Sequence, residues 1–172
     1  MILFIYLYFK INMYSICQIF DKNYNNKGIV NFYQHCNMCD VQVKFDLLNF
    51  ESNRTYAIHI HEFGDLRKGC ESLGSHWNPN NLNHGSILYP NKERHHGDLI
   101  NNFTTDNKGK FKYTYIDSLL TLYDNGINGR SIVIHDGIDD CGKGTGKNKK
   151  NSLLTGNSGD RIAFGIIAIS NS

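Results

Sequence analysis

Thr55-Tyr56-Ala57-Ile58-His59-Ile60-His61-Glu62 alternates strictly, with Tyr56, Ile58 and Ile60 on one side of an extended chain and His59 and His61 on the other. Side chains of a strand point to opposite faces in turn, so two imidazoles here project together from the face that a core does not claim. Upstream, segments 14–20, 28–35 and 41–49 carry β-branched, aromatic and apolar residues separated by turn material, including the polar run 21–27. Downstream, the same patterning returns at 97–101, 109–116, 130–135 and 161–169. Eight short strands without a periodic, capped helix predict an all-β fold, a closed sandwich or barrel.

Two stretches break the pattern. Residues 63–95 accumulate Gly, Asn, Ser and Pro, and residues 136–160 are rich in Gly and Lys, with room for a turn of helix. Loops of that length in a small domain are usually functional or disordered. The first holds Cys70, His76, His84 and His95, which makes it functional.

The whole chain has 172 residues, 40% hydrophobic and 20% charged, enough for one domain and no more. A net charge of +2 is too small to indicate nucleic acid or an anionic membrane as partner. The apolar run 2–9 is too short to span a bilayer. Lys10 follows that run, and no small-residue cleavage site is evident, unlike a signal peptide. The expectation is a domain over 13–172 starting at Met13, with 1–12 a non-native or disordered extension. Were 1–11 a signal sequence instead, Asn53-Arg54-Thr55 and Asn102-Phe103-Thr104 would become glycosylation acceptors. Five cysteines (Cys17, Cys36, Cys39, Cys70, Cys141) are odd in number and irregular in spacing, which predicts a cytoplasmic protein and not a disulfide scaffold. The Asn, Ile, Lys and Tyr bias is that of AT-rich coding, as in some viruses or protists, and for a virus the compartment would be the host cytoplasm.

All histidines except His35 lie from His59 to His135. Imidazole suits copper and zinc, and no paired cysteines stand nearby to make a structural zinc knuckle. Four imidazoles with solvent access favour Cu(II), and three imidazoles with one aspartate complete the zinc tetrahedron.

The motifs His59-Ile60-His61-Glu62-Phe63-Gly64-Asp65, Gly69-Cys70, His76-Trp77-Asn78-Pro79, His84-Gly85 and Arg94-His95-His96-Gly97-Asp98-Leu99 resemble those of the copper,zinc superoxide dismutase family. The resemblance continues through 129–135, Asp139-Asp140-Cys141-Gly142-Lys143-Gly144 and Thr155-Gly156-Asn157-Ser158-Gly159-Asp160-Arg161, and covers about 14–169. It implies an eight-stranded antiparallel Greek-key barrel, a flattened sandwich with two long functional loops. It implies copper on His59, His61, His76 and His135, and zinc on His76, His84, His95 and Asp98, with His76 bridging the two and exchanging a catalytic proton. Asp139 matches the carboxylate that hydrogen-bonds His59 and His84 from behind, and Arg161 the arginine that guides the anionic substrate. The implied reaction is conversion of superoxide into dioxygen and hydrogen peroxide by Cu(II)/Cu(I) cycling. The alternative is a non-enzymatic relative that binds metal or sequesters a copper chaperone. A homodimer through Phe63, Gly64, Asp65, Gly129 and 166–169, and a copper chaperone as metal donor, are also implied.

The chain departs from the family at one telling position. The family's loop cysteine, here Cys70, bridges to a cysteine whose place is taken by Phe164. A Cys70–Cys141 bridge is the substitute expected, with free thiols as the other outcome. His35-Cys36-x-x-Cys39 sits in a predicted hairpin turn, as surface thiols or as an ancillary metal or redox site. Lys143, Lys147, Lys149 and Lys150 precede Arg161 and would either attract superoxide or simply be solvated.

Overall fold

The alternating segments become strands that bury every second side chain. β1 (Met13–Asp21), β2 (Asn26–Gln34), β3 (Val41–Leu47) and β4 (Thr55–His61) lie in the first half of the chain. β5 (Arg67–Cys70), β6 (Asp98–Thr104), β7 (Phe111–Asp117), β8 (Ser131–His135) and β9 (Arg161–Ser170) follow, with one helix, α1 (Lys149–Thr155). The structure is a computed structural model that describes residues 12–89 and 93–171, so all but Asn12 of the expected extension 1–12 lies outside the described residues. β3 shows the rule plainly: Val41, Val43, Phe45 and Leu47 are buried while Gln42 and Lys44 are exposed.

Eight strands form one antiparallel sheet in the order β6-β4-β8-β9-β1-β2-β3-β7. The two outer strands, β6 and β7, face each other across the remaining seam, where the Phe103 and Phe111 rings lie 5.1 Å apart. The result is a nearly closed barrel. The links from β3 to β4 and from β7 to β8 each pass over two strands, the Greek-key connection expected. Inside lie Cys17, Ile19, Val30, Phe32, Phe45, Ile58, Ile60, Ile132 and Ile134, each no more than 1% exposed. Each large aliphatic or aromatic side chain so placed contributes about 1.5–3 kcal/mol, so this interior holds the barrel together.

Both long loops carry short elements, of which a helical turn in the second was expected. β5 and the 3-10 turn Glu71–Leu73 break the first long loop, and α1 with the turn Gly146–Asn148 breaks the second. α1 buries only Ser152, so it has no apolar stripe for a periodicity argument to find. It stops at Gly156, whose φ of 66° is the left-handed cap geometry that favours glycine. Among the described residues no helix is long and apolar enough to cross a membrane.

Candidate metal centre

Ile58 and Ile60 of β4 enter the barrel, so His59 and His61 stand on its outer wall. The first long loop then folds over that wall and buries them, leaving His59 at 0% and His61 at 1% exposure. The loop is stitched down by backbone bonds from Trp77 N to Ile60 O, Gly97 N to Trp77 O and Ile60 N to Gly97 O, each 2.9 Å. Gly97 makes this approach feasible, because a Cβ there would stand 2.2 Å from the Ile60 carbonyl oxygen. These bonds bring His76 beside His61, and β8 delivers His135 from its last position.

The hydrogen bonds behind the rings decide which nitrogen of each faces inward. His61 Nδ1 donates to Gly74 O (3.0 Å), His135 Nδ1 to Gly159 O (3.1 Å) and His59 Nε2 to Asp139 Oδ2 (2.6 Å). A neutral imidazole with one nitrogen donating has a bare lone pair on the other. His61 Nε2 and His135 Nε2 therefore meet at 3.3 Å as two acceptors, while His59 Nδ1 and His76 Nε2 are buried without any partner. Four lone pairs converging on one point repel unless a cation sits among them, which is the fit expected of a metal with four imidazole ligands.

A second convergence lies on the far side of His76. His84 Nε2 donates to Asp139 Oδ1 (2.8 Å) and its Nδ1 bonds Asp98 Oδ1 (2.9 Å); His95 Nε2 donates to Leu82 O (3.0 Å), and its unpartnered Nδ1 lies 3.3 Å from the same Asp98 oxygen. His76 Nδ1 lies 3.0 Å from the same oxygen. Asp98 Oδ2 accepts from the backbone N–H groups of Gly85 (3.0 Å) and His95 (2.9 Å), which fixes the carboxylate. In each of the two sets, His59, His61, His76, His135 and His76, His84, His95, Asp98, the donor atoms lie within 4.8 Å of one another. A third set, His59, His84 and Asp139, spans the two through their rear nitrogens.

Charge is distributed unevenly between the sets. Burial lowers His59 and His61, and it carries His76 down to about 3 and His135 to about 4. For His84, burial is outweighed by hydrogen bonds to Asp139 and Asp98, which lift it to about 9. Burial would raise Asp98 and Asp139, but the imidazoles bonded to each hold both well below the usual carboxylate range.

Arg161 opens β9 at the mouth of the first set. Its guanidinium donates to Cys70 O and Gly74 O, each at 2.6 Å. With His61, His76, His135, Thr155 and Asn157 it lines a cleft of about 430 Å³. Residues 26–167 match the model of the copper/zinc superoxide dismutase family. The chain belongs to the copper/zinc superoxide dismutase family. A copper/zinc superoxide dismutase of Schizosaccharomyces pombe is 44% identical over 143 residues, 83% of this chain and 89% of that protein. One from Yarrowia lipolytica is 45% identical over 143 residues, with the same shares of 83% and 89%. Superoxide dismutase [Cu-Zn] 5 of Dictyostelium discoideum is 41% identical over 159 residues, 92% of this chain and 99% of that protein. In a member of the copper/zinc superoxide dismutase family the four-imidazole set suits copper and the His3Asp set suits zinc.

Every ligand position named from sequence falls in one of these two sets, and Asp139 and Arg161 stand beside them. The Cys70–Cys141 bridge does not form, for both thiols are free. Cys70 packs on Leu73, Val133 and Phe164, whereas the Cys141 thiol lies near Ser86 and the Asp139 carbonyl, so the two occupy different neighbourhoods. Phe164, 4% exposed, fills the space beside Cys70 with apolar packing of about 1.5–3 kcal/mol, comparable with the roughly 2–4 kcal/mol of a disulfide. Cys36 and Cys39, for which the sequence offered surface thiols or an ancillary metal or redox site, are disulfide-bonded to each other. The lysines of the second loop are exposed and do not line the cleft; α1 places Asn151 and Thr155 there instead.

Sequence reasoning missed the groups that set the tautomers: the carbonyls of Gly74, Leu82 and Gly159. It also missed Asn101, whose Nδ2 donates to Asp139 Oδ2 (2.9 Å), and Asn102, which bonds both the backbone N–H (2.8 Å) and the carbonyl (2.9 Å) of Asp139. A polar pair inside a strand pattern was the available signal for these two.

Proposed function

We propose that this chain dismutates superoxide at a centre in which His59, His61, His76 and His135 hold copper and His76, His84, His95 and Asp98 hold zinc. The observation that carries this reading is the pair of bare Nε2 atoms of His61 and His135, 3.3 Å apart and open to the cleft that Arg161 lines. Copper so held supplies one-electron exchange with superoxide, and zinc a fixed charge without redox change. Two superoxide ions and two protons become dioxygen and hydrogen peroxide.

The residues have separable tasks. Arg161, braced on two carbonyls, presents positive charge to a small anion and orients it in the cleft. His76 Nε2 has no protein partner, so it is the nitrogen able to hold a proton and release it toward peroxide. Asp139 accepts from His59 and His84 at once and keeps both rings turned the right way. Metal analysis with a superoxide-consumption assay tests the reading. The purified protein should hold one copper and one zinc per chain and be active; full copper occupancy in His61→Ala would overturn the ligand assignment.

The reading extends to a homodimer. Phe63 and Ile169 are exposed at 49% and 68%, and Gly64 packs against Gly129 and Ile166, which supports a partner covering this side of the barrel. Sedimentation should find a dimer that Phe63→Glu dissociates. Copper ligands no more than 4% exposed support delivery by a copper chaperone, checked by copper content with and without its coexpression. Three free thiols support the cytoplasm as compartment, checked by fractionation.

A further inference from the structure

The turn between β2 and β3 reads His35-Cys36-Asn37-Met38-Cys39-Asp40. The disulfide between Cys36 and Cys39 spans a sequence separation of 3. The turn is already closed without it. Cys39 N donates to Cys36 O (3.0 Å), Gln34 Nε2 donates to Cys39 O (2.6 Å), and β2 pairs with β3 without interruption from Gly28↔Leu47 to Gln34↔Val41. Opening the bond therefore leaves the hairpin in register, so the pair is free to act chemically. Between the cysteines in sequence, Met38 is 82% exposed.

We propose that Cys36 and Cys39, once reduced by an external dithiol, form a binding site for Cu(I), with the Met38 sulfur as third donor. The dithiol passes two electrons and two protons to the bond, giving two protein thiols and its own disulfide. Binding of Cu(I) then releases both thiol protons and leaves a bis-thiolate complex. Thiolates and thioethers select Cu(I), whereas zinc wants a tetrahedron of ligands. His35 Nδ1 lies 2.9 Å from Asn12 Oδ1 and 3.1 Å from Tyr33 Oη, which leaves Nε2 as its one available nitrogen. The oxidised bond has no thiolate to offer, so the site exists in one redox state only.

This site is separate from the copper,zinc centre and does not rest on its assignment. Gln34 pairs with Met13, and the adjacent Tyr14 pairs with Ser170 at the far end of β9 from Arg161. The strand between Arg161 and Ser170 spans about 30 Å. The other thiols do not supply an equivalent pair: Cys17 is fully buried, and burial pushes its thiol up to about 12.

The test uses holoenzyme carrying its own metals, either oxidised or reduced with a phosphine and desalted without air. Cu(I) is titrated against bicinchoninate, a chromogenic Cu(I) chelator. Reduced protein should take up one equivalent more than oxidised protein. Cys36→Ser/Cys39→Ser should lose that equivalent, and Cys70→Ser/Cys141→Ser should keep it. X-ray absorption of the reduced wild type, which needs no variant to fold, should show sulfur around the added copper. Equal uptake in both redox states overturns the proposal, as does an extra equivalent that survives in the Cys36→Ser/Cys39→Ser protein. A bond that resists the reductant, nitrogen or oxygen donors alone around the added copper, or displacement of Cu(I) by equimolar Zn(II) also overturns it.

Discussion

The two halves of the metal centre share His76 and differ in nearly everything else. The copper-side half has four imidazoles and no carboxylate, and it opens on the cleft beside Arg161. The zinc-side half includes Asp98, and the shared Asp139 helps lift His84 there to about 9 while burial takes His76 down to about 3. A cavity with built-in negative charge suits an ion whose charge never changes. A cavity of neutral donors adds no fixed negative charge to oppose reduction of its ion from two charges to one. The fold thus separates holding from exchanging by the choice of one aspartate.

The hardest test of that division is removal of its shared member. His76→Ala should lose both metals and fall to background activity, whereas His135→Ala should lose copper and keep zinc, as read by metal analysis. Loss of zinc in His135→Ala would break the comparison. Metal-free protein sharpens it through pH. His76 and His135, at about 3 and about 4, lie below the ordinary histidine value of 6.5. As pH falls below 6.5 the unfolded chain takes up protons that the fold refuses, so stability drops by up to about 1.4 kcal/mol per pH unit for each group. His84 runs the other way: its contribution is complete below 6.5 and lost as pH rises through about 9. Calorimetry on metal-free protein should find the melting temperature falling on both the acid and the alkaline side, with the alkaline fall absent in His84→Ala.

Smaller effects belong to the cleft. Arg161→Ala should lower activity about 10-fold at every ionic strength, the result expected of the proposed role in attracting and orienting the anion. Neutralising Lys147, Lys149 and Lys150 together should slow only the low-salt reaction, by less than about 10-fold, and flatten its salt dependence. Such exposed charges are screened over about 8–10 Å at physiological ionic strength. A triple variant with unchanged salt dependence would leave those lysines a merely solvated surface.

The barrel was legible because period-2 alternation is a local signal: the pattern that placed Ile58 and Ile60 inward also placed His59 and His61 outward. The loop ligands were legible only through the order of their motifs, since residues 63–95 have no period to read. The acceptors behind the rings were invisible, because every residue has a carbonyl and nothing marks those of Gly74, Leu82 and Gly159 until the backbone is folded. Cysteine pairing failed for a related reason. Cys141 was the other loop cysteine near the site and so suggested itself for Cys70, but bonding depends on Cα separation and direction; the bridge formed joins Cys36 and Cys39, 5.1 Å apart.

Phe164 has a consequence in time as well as in space. Arg161 is seated on the carbonyls of Cys70 and Gly74, and the segment between them is pinned where Leu73 packs on Val133 and Phe164. Packing of that kind is complete when the chain has collapsed, whereas a bridge at the same place would wait for an oxidant. The arginine of this chain is therefore in position from the moment of folding, in reducing and oxidising surroundings alike. Maturation of the centre is left to wait on metal supply alone.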